Sequence, residues 1–176
     1  MLEARLLLTS DFGDAPDPLP GTGRGNYQTL AARNGPSHVI NEGQTRLFLG
    51  AGVDGESASL PSANANGDDK FLPGGRDDED GVLSMLDLQS TVGASPKITL
   101  QATNTMTGPA MLYGWIDFNQ NGAFENSTER ALIAVPVGAI AGRFTLTFPT
   151  TPAGSAGATY GCRHRCINVT GDFRRV

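Results

Sequence analysis

The sequence predicts an all-β fold, an antiparallel β-sandwich with Greek-key or jelly-roll-like connections, preceded by a long irregular acidic N-terminal region. Three observations carry this. With 23 Gly and 11 Pro in 176 residues, turns and loops are favoured over long helices. Lys97 to Thr103 alternates strictly, with Ile98, Leu100 and Ala102 on one side and Lys97, Thr99, Gln101 and Thr103 on the other, the period of a half-buried strand. From Val82 onward, short apolar runs recur between turn signals, which is how a sandwich reads along its chain.

The length suits one domain with a real core. Residues 1–10 are expected to be a terminal remnant, 11–170 the domain (11–81 irregular acidic loops, 82–170 strands) and 171–176 a cut tail. Asp11 to Pro20 is a turn-rich string followed by Gly21, Gly23 and Gly25, with no period to bury. Tyr27 to Arg33 predicts a short helix, ended by Asn34-Gly35-Pro36. Arg46 to Gly50 is a short apolar element. The strands expected after it are Val82 to Gln89, Lys97 to Thr103, Ala110 to Phe118, Arg130 to Val135, Arg143 to Phe148 with Phe144, Leu146 and Phe148 inward, and Ala158 to Val169. No apolar run approaches the ~20 residues that span a bilayer, so membrane insertion is not expected. A net charge of -5 argues against nucleic acid as a partner.

The acids are unevenly placed. Of 18 Asp and Glu, eight lie between Asp54 and Asp80: Asp54, Glu56, Asp68, Asp69, Asp77, Asp78, Glu79 and Asp80. Asp11, Asp14 and Asp17 form an earlier group. Only Lys70 and Arg76 are basic in the densest stretch, and clustered carboxylates must be paired, hydrated or metallated. A charge run is ordinarily a solvated loop. Here the phasing of Phe12-Gly13-Asp14-Ala15-Pro16-Asp17 implies a fixed backbone path and a metal role for these acids.

A second oxygen-rich stretch follows Trp115. Asp117, Asn119 and Asn121 stand at positions 1, 3 and 5 of a calcium-loop pattern, Gly122 at the turn, and the Ala123 carbonyl at position 7. Position 12 is Thr128, and the carboxylate comes one residue later as Glu129. The expectation is therefore an EF-like loop between strands, not an EF-hand. Hard oxygen donors without His or Cys select Ca2+, and two neutral Asn ligands predict weak affinity, on the order of 10⁻⁴ to 10⁻³ M. The simpler alternative is a hairpin turn that uses Asn121-Gly122 for its backbone conformation.

Taken together, Asp11-Phe12-Gly13-Asp14-Ala15-Pro16-Asp17, Asn34-Gly35-Pro36-Ser37-His38, Val53-Asp54-Gly55-Glu56, Asn66-Gly67-Asp68-Asp69, Asp77-Asp78-Glu79-Asp80-Gly81-Val82 and Gly114-Trp115-Ile116-Asp117-Phe118-Asn119 resemble the GEVED domain of bacterial secreted and surface proteins. The resemblance spans residues 11 to about 167. It implies an extracellular β-rich module at the bacterial surface, in adhesin-like or cell-wall-associated proteins. The Gly-Glu-Val-Glu-Asp string that names the family does not follow the last strand, and Tyr160 to Cys166 departs from the family's aromatic and arginine pattern. A truncated or frameshifted end is expected from both.

Cys162, His164 and Cys166 share one face of a strand, but the two thiols would stand roughly 13 Å apart, too far to hold one ion or to form a disulfide. His38 reads as a structural hydrogen-bonding group. Asn126-Ser127-Thr128 and Asn168-Val169-Thr170 match glycosylation sequons.

The expected function is a non-catalytic, calcium-binding extracellular module with a structural or adhesive role. Its expected partners are calcium, neighbouring domains of a larger chain, and glycans. The alternative is a calcium-dependent carbohydrate-binding module that stacks sugar on Tyr113 and Trp115, although a sandwich would ordinarily bury Trp115 in its core. No acid carries a sequence mark of a raised pKa, so paired-carboxylate hydrolysis is not expected.

Overall fold

A computed structural model describes residues 8–13, 15–35, 37–41, 47–50, 52–53, 57–63, 67, 81–84, 91–155 and 167–168. Among these, the strands in chain order are β1 (Leu8–Phe12), β2 (Ser37–Asn41), β3 (Leu47–Leu49), β4 (Val82–Ser84), β5 (Lys97–Asn104), β6 (Ala110–Ile116), β7 (Arg130–Val135), β8 (Ala139–Thr147) and β9 (Ile167–Asn168). A single 3₁₀ turn, Ala31–Arg33, is the one helical element described.

All strand pairings are antiparallel. β5 is the axis of the first sheet. β8 runs along one side of it, from Lys97 opposite Thr147 to Asn104 opposite Ala139. Along the other side β3 and β4 lie end to end, Leu49 opposite Ala102 and Val82 opposite Leu100. Gln101 joins them, accepting from the Gly50 N–H at 2.9 Å and donating to the Gly81 carbonyl at 2.7 Å. β6 is the axis of the second sheet, between β7 and β9.

Alternation decides which residues meet between the sheets. Ile98, Leu100, Ala102 and Leu146 from the first sheet, with Phe148 just past β8, share one buried cluster with Ala110, Leu112, Ile116, Ala131 and Val135 from the second. Ile98, Leu100, Leu112 and Leu146 are fully buried, and each such side chain contributes about 1.5–3 kcal/mol. A single one exceeds a typical net hydrogen bond of about 1 kcal/mol, so the two sheets carry the fold and the loops are mounted on them. Gly114 marks the closest approach: a Cβ there would meet Leu146 Cδ1 at 2.8 Å and Phe148 Cζ at 3.3 Å.

Asn104 is buried completely, yet its side-chain polar atoms are all engaged. Its amide donates to the carbonyls of Val135 at 2.9 Å and Gly108 at 3.1 Å, and its Oδ1 accepts from Met106 N at 3.0 Å. Its own carbonyl accepts from Gly138 N at 2.8 Å. One residue thus clamps the β5–β6 turn to the β7–β8 turn.

The structure departs from the sequence reading in five places. The N-terminal stretch is not wholly irregular, because β1 pairs with β2 from Leu8 opposite Asn41 to Phe12 opposite Ser37. Tyr27 to Arg33 is not a helix beyond the 3₁₀ turn, since the N–H groups of Tyr27, Thr29 and Leu30 are drawn to the Pro16 carbonyl and the Asp17 carboxylate. β6 stops at Ile116, where Asp117 turns into the loop. β8 begins at Ala139, earlier than expected, because Ala141 (φ 48) and a register shift between Ala102 and Asn104 break the alternation that would reveal it. Trp115 is half-buried on the outer face, because Leu112, Gly114 and Ile116 occupy the inward positions.

Asn104→Ala leaves buried carbonyls and a buried N–H without partners. It should lower the unfolding free energy in urea by about 2–3 kcal/mol with an unchanged denaturant slope.

Candidate functional site

β6 and β7 hold the ends of the loop from Asp117 to Glu129. The ladder extends one step past the strands, with Ile116 N donating to the Glu129 carbonyl at 3.1 Å. Asp117 Oδ1 accepts from Asn121 N at 3.1 Å and its Oδ2 from Gly122 N at 3.0 Å. Asn119 Oδ1 accepts from Asn121 N at 3.0 Å, and Asn121 Oδ1 from Ala123 N at 2.7 Å. Asn119 and Asn121 thus form Asx turns in series, each fixed by an N–H two residues on, while Asp117 takes the N–H groups four and five residues on. Gln120 (φ 58) and Gly122 (φ 75) take the left-handed conformations that such a path requires.

Beneath this row lies Glu129, 1% exposed. Its Oε1 accepts from Phe118 N at 2.9 Å and its Oε2 from Glu125 N at 3.0 Å. The Glu125 carboxylate accepts from the amides of Asn121 at 2.6 Å and Asn119 at 3.3 Å. The two glutamates also share a side-chain hydrogen bond. Burial first, then this bond with Glu125, pushes the Glu129 carboxyl up to about 7, and the Asp117 charge adds to it. The bond with Glu129, then that from Asn121, holds Glu125 below its ordinary value. Burial thus favours the protonated form of Glu129, an acid that the sequence does not mark in this way.

An arm from the N-terminal region closes over the loop. Gly23 and Asn26 exchange backbone hydrogen bonds at 3.1 and 2.9 Å, and this tight turn lies against Gly122, where a Cβ would collide with the backbone of both residues. Burial, followed by the Asp117 charge, pushes the Tyr27 hydroxyl up to about 12. The Tyr27 ring stacks on Phe124, centroids 5.1 Å apart and 5° from parallel. Phe124 is 6.4 Å from Trp115, and Trp115 is 6.0 Å from Tyr113, whose ring carries the Arg130 guanidinium at 5.4 Å. The Trp115 indole N–H donates to Asn126 at 3.1 Å. An aromatic row thus ties the arm, the loop and the outer face of the second sheet.

Of the residues predicted as ligands, the structure gathers Asp117, Asn119, Asn121, Ala123 and Glu129 in this loop. Asp17 stands in the arm, buried, where its carboxylate accepts from Thr29 N and Leu30 N at 3.1 and 3.0 Å and pairs with Arg33. Asp11 lies in β1, opposite His38 of β2. Asp14, Asp54, Glu56, Asp68, Asp69, Asp77, Asp78, Glu79 and Asp80 lie outside the described residues, as do Cys162, His164 and Cys166. Sequence reasoning missed Glu125, Tyr27 and Phe124. Glu125 had a signal, because counting from Asp117 puts it at position 9, often a water-mediated ligand position in a calcium loop. The Tyr27 and Phe124 pairing is long-range and leaves no local pattern.

The donors suit a hard cation in kind. Each bonded carboxylate or amide oxygen accepts one N–H and retains lone-pair capacity, and all donors are oxygen. Among the described residues, no group of three or more His, Cys, Asp or Glu is placed to hold a metal ion. A cation here would therefore have to draw on the amide oxygens of Asn119 and Asn121 and on backbone carbonyls beside the carboxylates.

The raised value of Glu129 has a consequence for stability. The folded state retains a proton that the unfolded chain releases near 4.5, so this group's contribution is complete below about 4.5 and is lost as pH rises through about 7. Glu125, held low, acts in the opposite sense and only at more acid pH. Chelator-treated protein should melt at progressively lower temperature from about pH 5 to about pH 7.5. Glu129→Gln should flatten that part of a melting-temperature series.

No curated protein and no solved structure matches the chain. The family model for the GEVED domain matches residues 111–173, which takes in the Asp117 loop, most of β6, and β7, β8 and β9. The motifs from Asp11 to Val82 fall outside that match. Within residues 111–173, the chain is similar to the GEVED domain.

Proposed function

We propose that the chain is a non-catalytic, calcium-binding module of a bacterial surface or adhesin-like protein, with a structural or adhesive role outside the cell. The observation that carries this reading is the charge imbalance in the loop. Asp117, Glu125 and Glu129 act on one another there, and among the described residues no Lys or Arg forms an ion pair with any of them. The loop manages by burying one acid, whose protonated form is thereby favoured, and by lending two amide N–H donors to another. A divalent cation would supply in full the positive charge that those donors supply in part.

The alternate spacing of Asp117, Asn119 and Asn121 offers oxygens to such an ion on a backbone already bent to receive it, which lowers the ordering cost of binding. Binding would also displace the Glu129 proton, since metal ligands must be deprotonated. The bacterial and extracellular placement draws on the motif resemblance set out above. A glycan-binding role has less to stand on, because Trp115 already neighbours Tyr113 and Phe124 in the aromatic row. The same row gives it a bracing role.

Thermal melting in calcium and then in excess EDTA tests the proposal. At a calcium concentration about tenfold above a weak dissociation constant, linkage predicts a rise of about 3–5 °C. Asp117→Asn should abolish most of it. A midpoint indifferent to calcium and EDTA sinks the reading.

A further inference from the structure

Among the described residues, β8 has a strand on one side only, β5. Phe148 N donates to the Pro96 carbonyl at 2.9 Å, and the same register continues through Leu146 opposite Ile98 and Phe144 opposite Leu100. The backbone groups of these three residues therefore point at β5. Gln101 gives the same phase from the other strand, since its N–H and carbonyl turn away from β8 to Gly81 and Gly50. Arg143, opposite Gln101, turns its N–H and carbonyl outward, as do Thr145 and Thr147 further along. All three residues are exposed. Natural edge strands are blunted by shortness, by Pro, by charges, by a bulge or by a cover. β8 has nine residues, no Pro and one charge, Arg143, and its irregularity lies near its start, where Ala141 takes φ 48. The opposite edge of this sheet is divided between β3 and β4, three residues each.

We propose that β8 is an association edge for a second copy of this chain, paired antiparallel across a two-fold axis at Thr145. Outward backbone groups must meet outward backbone groups, so the axis passes through a residue of β8, and charge and chain geometry decide which. An axis at Arg143 sets two guanidinium groups on one rung, and like charges directly opposite are destabilising. An axis at Phe144 sets the left-handed Ala141 opposite Thr147, and one at Leu146 calls on Pro149, which has no N–H to give. At Thr145 every rung is complete. Thr145 faces its partner's Thr145, and Arg143 faces its partner's Thr147. The two Arg143 side chains then start roughly 13 Å apart along the strands, four residues at ~3.3 Å each. The first sheet would run on through both copies. The pairing is isologous and closes at two, because the divided edge of β3 and β4 offers no second strand of this length.

Sedimentation velocity over a concentration series, on the full chain in EDTA so that no metal contributes, tests this. We expect a reversible equilibrium between one copy and two. Thr145→Lys puts like charges on the central rung and should weaken association about tenfold or more. Thr147→Glu puts a carboxylate opposite each Arg143 and should tighten association about three- to tenfold at low salt, a gain that Arg143→Gln removes. Thr145 and Thr147 are exposed in the single copy, so the melting midpoints of dilute variants should stay near that of wild type. A wild type that remains a single copy at every concentration overturns the proposal. So does a dimer that tolerates Thr145→Lys, or one that Leu132→Lys on the edge of β7 dissolves instead. A dimer that Thr147→Glu does not tighten overturns the axis at Thr145.

Discussion

Two carboxylates, Asp117 and Glu129, are buried at one end of the second sheet, 2% and 1% exposed, and the surrounding chain is shaped by the need to keep them satisfied. Bare, either would cost several kcal/mol to desolvate. The loop answers by turning its own N–H groups inward: those of Asn121 and Gly122 go to Asp117, and those of Phe118 and Glu125 go to Glu129. That demand explains why β6 stops at Ile116 and why Gln120 and Gly122 adopt left-handed conformations. Among the described residues, the segment from elsewhere in the chain that reaches this spot brings a phenol ring and a backbone turn.

The division of labour follows from this. The sheets are held by dispersion and burial among Ile98, Leu100, Leu112, Leu146 and their neighbours, terms indifferent to pH and metal. The loop and the arm over it are held largely by hydrogen bonds to charged or titrating groups, terms that respond to pH. A module built this way can keep its core while its rim answers to the medium. Asn104 links the two connections at the other ends of the strands with neutral bonds only.

Much of the fold was legible where the side-chain period was intact. Ile98, Leu100 and Ala102 face the core as their alternation requires, and Arg130–Val135 is a strand with the bounds that Pro136 and the preceding loop imply. Legibility failed where long-range partners override local pattern. Nothing in Leu8–Phe12 announces Ser37–Asn41 as its partner, and the run from Tyr27 to Arg33 lost its helix to Pro16 and Asp17. In the loop, the alternate oxygens of Asp117, Asn119 and Asn121 were readable because their spacing is local chemistry. The aromatic row was not, because it joins Tyr27 to residues nearly a hundred positions away. Trp115 shows the limit of composition: a lone Trp suggests a core, but the inward positions beside it had already been given to Leu112, Gly114 and Ile116.

The way β3 and β4 share one edge of β5 bears on how this scaffold can vary. Gly50 and Gly81 both bond Gln101, on its carbonyl and its N–H respectively, and a Cβ on Gly81 would stand 2.7 Å from Leu49 Cβ. The thirty residues from 51 to 80 therefore leave and rejoin the sheet at the same point on β5. Closing such an excursion costs only about 0.6 kcal/mol more for each doubling of its length, so its length is a small term beside the burial of Leu100 and Ala102 that sets the register of β5.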